Sequence, residues 1–95
     1  MDLNEARAEI RRTDLQMRDL FLHRMEAASH VAEWKRQEKL PVEDPAQEKR
    51  VIEALSPAVE DETLRALYER FLHGVMEVSK DWQRHLLETP PAGQE

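Results

Sequence analysis

Between Leu3 and about Lys35 the chain has no proline or glycine, and Ile10, Met17, Leu20, Phe21, Met25, Ala28, Val31 and Ala32 recur at three, four and seven among charged residues. That period belongs to one face of an α-helix and predicts a single long one. At 1.5 Å per residue it spans roughly 50 Å, whereas a compact chain of this size has a radius of gyration of about 13 Å. Its ends must therefore reach across a partner, and a second copy of the chain is the simplest. Leu40-Pro41-Val42-Glu43 reads as a short extended connector, because the residue before a proline is pushed out of helical geometry. Asp44 is placed to cap the next helix and Pro45 to take its first position. That helix runs to about Leu55, where Ser56-Pro57 interrupts it. A third begins near Glu60 and carries Leu64, Leu67, Tyr68, Phe71, Leu72, Val75, Met76, Trp82 and Leu86 on its apolar face. Thr89-Pro90-Pro91-Ala92-Gly93 ends it. The predicted chain is all-α, with a three-helix domain over residues 1–88 and a flexible tail or linker start over 89–95.

Composition narrows the partners. With 95 residues the chain is one domain at most, and it is 36% charged with a formal net charge of −6 and a pI near 5.2. Such a balance argues against nucleic acid or an anionic membrane surface as the main partner, while leaving room for a local cationic pocket. Cysteine is absent, which removes disulfides, thiolate catalysis and zinc-thiolate sites. The first twenty residues carry charges from Asp2 onward, and no apolar run reaches membrane length, so a cytoplasmic protein is expected.

Several polar residues stand where apolar ones are expected. Ile10, Met17, Arg24 and Val31 are seven apart, so Arg24 has apolar neighbours above and below on its helix face. Its guanidinium needs an anion, either a salt-bridge partner or a ligand, unless its stem lies along apolar surface with the head in water. Lys35 lies three turns further along that face, so the two cations can converge on one small dianion, although a lysine at a helix end is also a favourable solvated charge. Arg7 precedes Arg24 by roughly 25 Å along the axis. No small ligand touches both from one helix; Arg7 is a surface arginine or serves the site of an antiparallel partner. In the third helix Ser79 falls in the apolar series and Gln83 lies one turn on; a small serine is readily tolerated there, but a buried amide has four hydrogen-bonding positions to satisfy. Asp44 and Glu48 are four apart, the first explained by capping and the second by the helix dipole if neither meets a ligand. His23, His30, His73 and His85 contain no i, i+4 metal pair, and neither a phosphate-binding glycine loop nor a nucleophile motif occurs, so no metal or cofactor is expected.

The ordered set R7-x16-R24-x10-K35, LPVEDPAQE and S79-x3-Q83, with V31-A32-E33-W34-K35, resembles the all-helical chorismate mutases of the AroQ class over about residues 3–87. The resemblance implies an intertwined homodimer in which three helices from each chain build two active sites. It implies the rearrangement of chorismate to prephenate, an isomerisation without cofactor on the route to phenylalanine and tyrosine. Lys35 and Gln83 match the donors to the ether oxygen, Glu48 the acceptor of the ring hydroxyl, Arg24 and the partner chain's Arg7 the grips on the carboxylates, Ser79 a carboxylate contact, and Asp44 a backbone contact near the hydroxyl. Some relatives carry glutamate where Gln83 stands and must protonate it; Gln83 should free this chain from that requirement. One position departs: the family usually has arginine where Gln47 stands, adding positive charge to the pocket. Asp44-x-x-Gln47 instead fits a capping box, with the amide reaching back to the N–H of Asp44 and Arg50 as a partial replacement cation. Two rivals remain, an isochorismate-pyruvate lyase with a similar dianion pocket and a non-catalytic helical dimer acting as a binding or regulatory module.

Overall fold

The computed structural model describes residues 1–89, which form three α-helices and one turn of 3-10 helix. Helix α1 spans Leu3–Glu38, α2 Pro45–Leu55 and α3 Glu62–Glu88, with the 3-10 turn at Ser56–Ala58 between α2 and α3. Each α-helix starts on an aspartate. The carboxylates of Asp2, Asp44 and Asp61 accept from the backbone N–H groups of Glu5, Gln47 and Leu64 at 2.8, 3.2 and 2.8 Å, satisfying a donor that the first turn leaves without a helical partner. The cap at Asp61 sets the start of α3 slightly later than Glu60. Arg65 folds back beneath it, donating through Nε and Nη2 to the carbonyls of Val59 and Glu60 at 2.7 and 2.9 Å.

Helix α1 runs almost a turn beyond Lys35. It has no glycine to stop it, and Lys39 takes the left-handed conformation instead, at φ 56° and ψ 42°. The N–H of Leu40 then closes on the Lys35 carbonyl at 2.9 Å, a C-terminal motif that normally favours glycine. A left-handed lysine costs about 1 kcal/mol, and Pro41 next to it prevents the helix from continuing through Leu40.

The second half of α1 packs on α3, the two running in the same sense. Trp82 Nε1 donates to Ser29 Oγ at 2.9 Å, and further along Arg36 Nη2 donates to the Leu86 carbonyl at 2.6 Å. Ala28 and Ala32 of α1 meet Leu72 and Met76 of α3 as the buried apolar core. The inward face of α3 is rotated from the predicted one. Leu72, Met76, Ser79, Lys80 and Gln83 are buried, while Val75, Trp82 and Leu86 are only half-buried.

Extents of 57 × 28 × 14 Å and a radius of gyration of 16.9 Å exceed the about 13 Å of a compact chain of this length. No residue of α1 before Ala28 is buried. Leu3, Ile10, Leu20 and Leu22 are each more than half exposed, as are Leu64 and Phe71 on α3. The predicted apolar stripes therefore exist, but one chain covers only part of them. Among the described residues no helix is long and apolar enough to cross a membrane. The expected tail over 89–95 lies outside the described residues except for Thr89, whose N–H donates to the His85 carbonyl at 3.1 Å.

Candidate active site

The second half of α1, the connector, the start of α2 and the C-terminal half of α3 line an open cavity of about 370 Å³. Its wall includes Arg24, Lys35, Asp44, Gln47, Glu48, Ser79, Lys80 and Gln83. The chain is acidic, yet three cations gather here against two carboxylates. Of the candidate site residues singled out in the sequence, the structure brings Arg24, Lys35, Asp44, Gln47, Glu48, Ser79 and Gln83 to this wall, and leaves Arg7 and Arg50 outside it.

Lys35 sits in the last turn of α1, where the left-handed stop at Lys39 swings the connector back across it. Its Nζ donates to the Val42 carbonyl at 2.8 Å and to Gln83 Oε1 at 3.2 Å. Gln83 Nε2 in turn donates to Ser79 Oγ, one turn earlier, at 3.3 Å. An ammonium has three N–H groups and a primary amide two, so each of these residues keeps one donor for a ligand. Arg24 is exposed and, among the described residues, makes no hydrogen bond or ion pair within the chain. Its guanidinium lines the cavity with no partner among the described residues.

Glu48 is held differently. One carboxylate oxygen meets Lys80 Nζ at 2.9 Å, and the same ammonium meets Glu77 at 2.7 Å and Glu43 at 3.2 Å. Hydrogen bonds that its ammonium donates, first to Glu77 and then to Glu48, raise the Lys80 pKa far above that of a free lysine, against the opposing effect of desolvation. Glu43, on the connector, is held below the ordinary carboxylate range by Lys80 first and also by Arg84, whose Nη2 lies 2.7 Å from it. Lys80 is the residue the sequence reading missed. Its signal was its place one turn after Met76 on the stripe that includes Leu72, although a lysine among helical charges ordinarily reads as a solvated one.

Gln47 forms half of the expected capping box. Its N–H reaches Asp44 Oδ1, but its side chain does not return to the Asp44 N–H; Gln47 Oε1 accepts from Arg50 Nε at 3.0 Å instead. The guanidinium of Arg50 outcompetes a neutral backbone donor, since charge-assisted hydrogen bonds are the stronger kind. Arg50 itself is outside the cavity wall. Arg7 is exposed on the first half of α1. The four histidines are exposed, His85 stacking on Trp82 at 5.5 Å, and no cluster among the described residues could hold a metal ion.

This wall has donors for a dianion, the Glu48 carboxylate as acceptor with that of Asp44 engaged in the helix cap, and, among the described residues, no serine or other nucleophile paired with a base. Such a wall can bind and orient a small anion. A family model for chorismate mutase type II matches residues 6–84. No curated protein and no solved structure gives a significant match. Arg24, Lys35, Glu48, Ser79 and Gln83, brought together by the fold, all fall within that span, and the chain belongs to the type II chorismate mutases, all-helical enzymes of the isomerase class.

Proposed function

We propose that the protein converts chorismate to prephenate by a [3,3] rearrangement, in the cytoplasm, as the step that commits chorismate towards phenylalanine and tyrosine. The observation that carries this reading is the donor inventory of the cavity. Lys35 and Gln83 are hydrogen-bonded to each other and keep one N–H each, while Arg24 keeps its whole guanidinium. In this rearrangement an ether C–O bond breaks as a C–C bond forms, with no proton transfer and no covalent enzyme intermediate. Catalysis then reduces to holding a flexible dianion in a chair-like conformer and placing donors where the ether oxygen gains negative charge.

Arg24 grips one substrate carboxylate bidentately, and the planar guanidinium suits that geometry better than an ammonium. Ser79 adds a hydroxyl to a carboxylate, Glu48 accepts from the ring hydroxyl, and the Asp44 backbone lies beside it. Lys35 supplies a point charge to the ether oxygen and Gln83 a neutral N–H. One such donor is worth about 10²–10³ in rate.

The working unit is a homodimer in which the first halves of the two α1 helices interlock. The uncovered faces of α1 and α3 support it, because burying each large apolar side chain on them contributes about 1.5–3 kcal/mol. Arg7 then completes the site of the other copy, gripping the second carboxylate.

The test is incubation of purified protein with chorismate, following both its loss and the appearance of prephenate, with isochorismate and pyruvate release assayed in parallel. Prephenate formation that Lys35→Ala removes supports the reading. Pyruvate from isochorismate without prephenate would assign the lyase reaction instead, and a folded dimer inactive on both would leave the binding-module reading.

A further inference from the structure

Lys80 has no counterpart among the residues that the rearrangement itself requires. It is buried on α3, at 8% exposure, and its Nζ meets three carboxylates from three parts of the chain. Glu77 belongs to its own helix, Glu48 to α2 and Glu43 to the connector, at 2.7, 2.9 and 3.2 Å. An ammonium has three N–H donors, and three carboxylates lie within ion-pair distance of this one. Lys80 lines the cavity with its charge committed to carboxylates of the chain. Stability alone is a poor reason for it, because replacing a buried ionic cluster by apolar side chains is often neutral or favourable.

Its effect on Glu48 is more telling. Ser79 and Gln83, on the same face of α3, supply neutral polar groups, and the family arginine that would supply a cation from α2 is replaced by Gln47. Without Lys80, Arg84 would reach only Glu43 of the three carboxylates, and like-charge repulsion would drive the Glu48 carboxylate off the wall. With it, one Glu48 oxygen is held at 2.9 Å from the ammonium, and the other makes no hydrogen bond or ion pair among the described residues.

We propose that Lys80 is a positioning residue which holds the Glu48 carboxylate in the cavity wall, so that the site selects ring dicarboxylates bearing a hydroxyl over those lacking one. This rests on the reading of the cavity as a site for a hydroxylated ring dianion. The cation comes from α3 and acts through a carboxylate.

The test uses two rigid bicyclic dicarboxylic acids that mimic the rearranging conformer and differ only in the ring hydroxyl, with affinities measured by titration calorimetry. Wild type should prefer the hydroxylated compound by tenfold or more, roughly the worth of one hydrogen bond to a charged group. Lys80→Met should lose that preference while binding the deoxy compound as wild type does. Glu48→Gln should lose it to the same extent, and the double variant should lose no more, as expected of two residues acting through one contact. Equal weakening of both compounds in Lys80→Met would make Lys80 a structural residue and overturn the assignment. Should Lys80→Met fail to fold, Lys80→Arg keeps the charge but not the point geometry that serves three carboxylates; it should narrow the preference, and an unchanged preference overturns the assignment. Wild type that binds neither compound overturns the reading of the cavity and this assignment with it, whereas wild type that discriminates while Lys80→Met does so equally well overturns the assignment alone.

Discussion

Lys35 donates to the side-chain oxygen of Gln83 at 3.2 Å, joining the last turn of α1 to the C-terminal half of α3 across the cavity. The contact fixes the orientation of the amide: its oxygen accepts from the ammonium, one N–H goes to Ser79, and the second N–H is left for a ligand. Lys35 is thus a donor and also the group that orients the second donor. Lys35→Ala removes the first and releases the second, so kcat/KM should fall by at least about 10³, the upper range for a single preorganised donor. Steady-state kinetics with helix content checked by circular dichroism measures this. A loss confined to a few-fold would show that neither donor faces the developing charge.

Gln83→Glu exchanges a permanent donor for one that must be protonated. Lys35, beside the new carboxyl, favours its ionised form and lowers its pKa. The variant should therefore work only in acid, with kcat/KM falling about tenfold per pH unit above that pKa, while wild type shows no such slope. A pH profile of kcat/KM for the two proteins decides it.

Much of the fold was legible because its punctuation is chemical. Asp44-Pro45 announces the start of α2, and the unbroken three-four period announces α1. The stop of α1 was less so, because the left-handed residue is Lys39 and nothing in a lysine signals positive φ. Arg24, Lys35, Glu48, Ser79 and Gln83 could be picked out as polar residues or by their spacing in a family-like order. Lys80 could not, since its burial depends on Glu43 and Glu48, which reach it from the connector and α2 only after the chain has folded. The side chain of Gln47 was misread for a related reason: its competing partner, Arg50, sits one turn away, and propensity does not rank the two hydrogen bonds.

Gln47 lines the cavity, at the position where the resemblance to the chorismate mutases implies an arginine. Gln47→Arg should lower KM for chorismate about tenfold, the worth of one charge-assisted hydrogen bond, with kcat little changed because ground and transition states carry the same carboxylates. The N-cap survives, since Asp44 receives the backbone N–H of position 47 and not its side chain. Unchanged or higher KM would show that the charge from α3 already suffices.

The Glu43–Lys80 contact ties the connector to α3 and predicts how stability varies with pH. Glu43 has a depressed pKa, so its contribution is complete above the ordinary carboxylate value of 4.5 and is lost as pH falls through the folded-state value. Lys80 has a raised pKa, so its contribution is complete below the ordinary 10.5 and is lost only as pH rises above that. Between these limits neither group changes charge, and the two contribute no slope. Thermal unfolding followed from pH 3 to 9 should therefore show the midpoint falling on the acid side, and Glu43→Gln should make that fall shallower. An equally steep fall in the variant would place the acid sensitivity in other carboxylates.

Arg7 lies on the exposed first half of α1 and outside the cavity wall of its own chain. If it serves the second copy, two inactive proteins should restore each other. Arg7→Ala and Lys35→Ala damage different halves of one composite site. In a hybrid dimer, the site built around the intact Lys35 receives its Arg7 from the other chain, which is also intact, while the second site carries both defects. Unfolding and refolding the two variants together at equal amounts makes half of the dimers hybrids with one working site each, so activity should return to roughly a quarter of wild type. Mixing without exchange of chains should restore nothing, which separates complementation from residual activity of either variant. A site completed within one chain would give no recovery after refolding, because every hybrid would contain one chain with a damaged Arg7 and one with a damaged Lys35, and no site would have both.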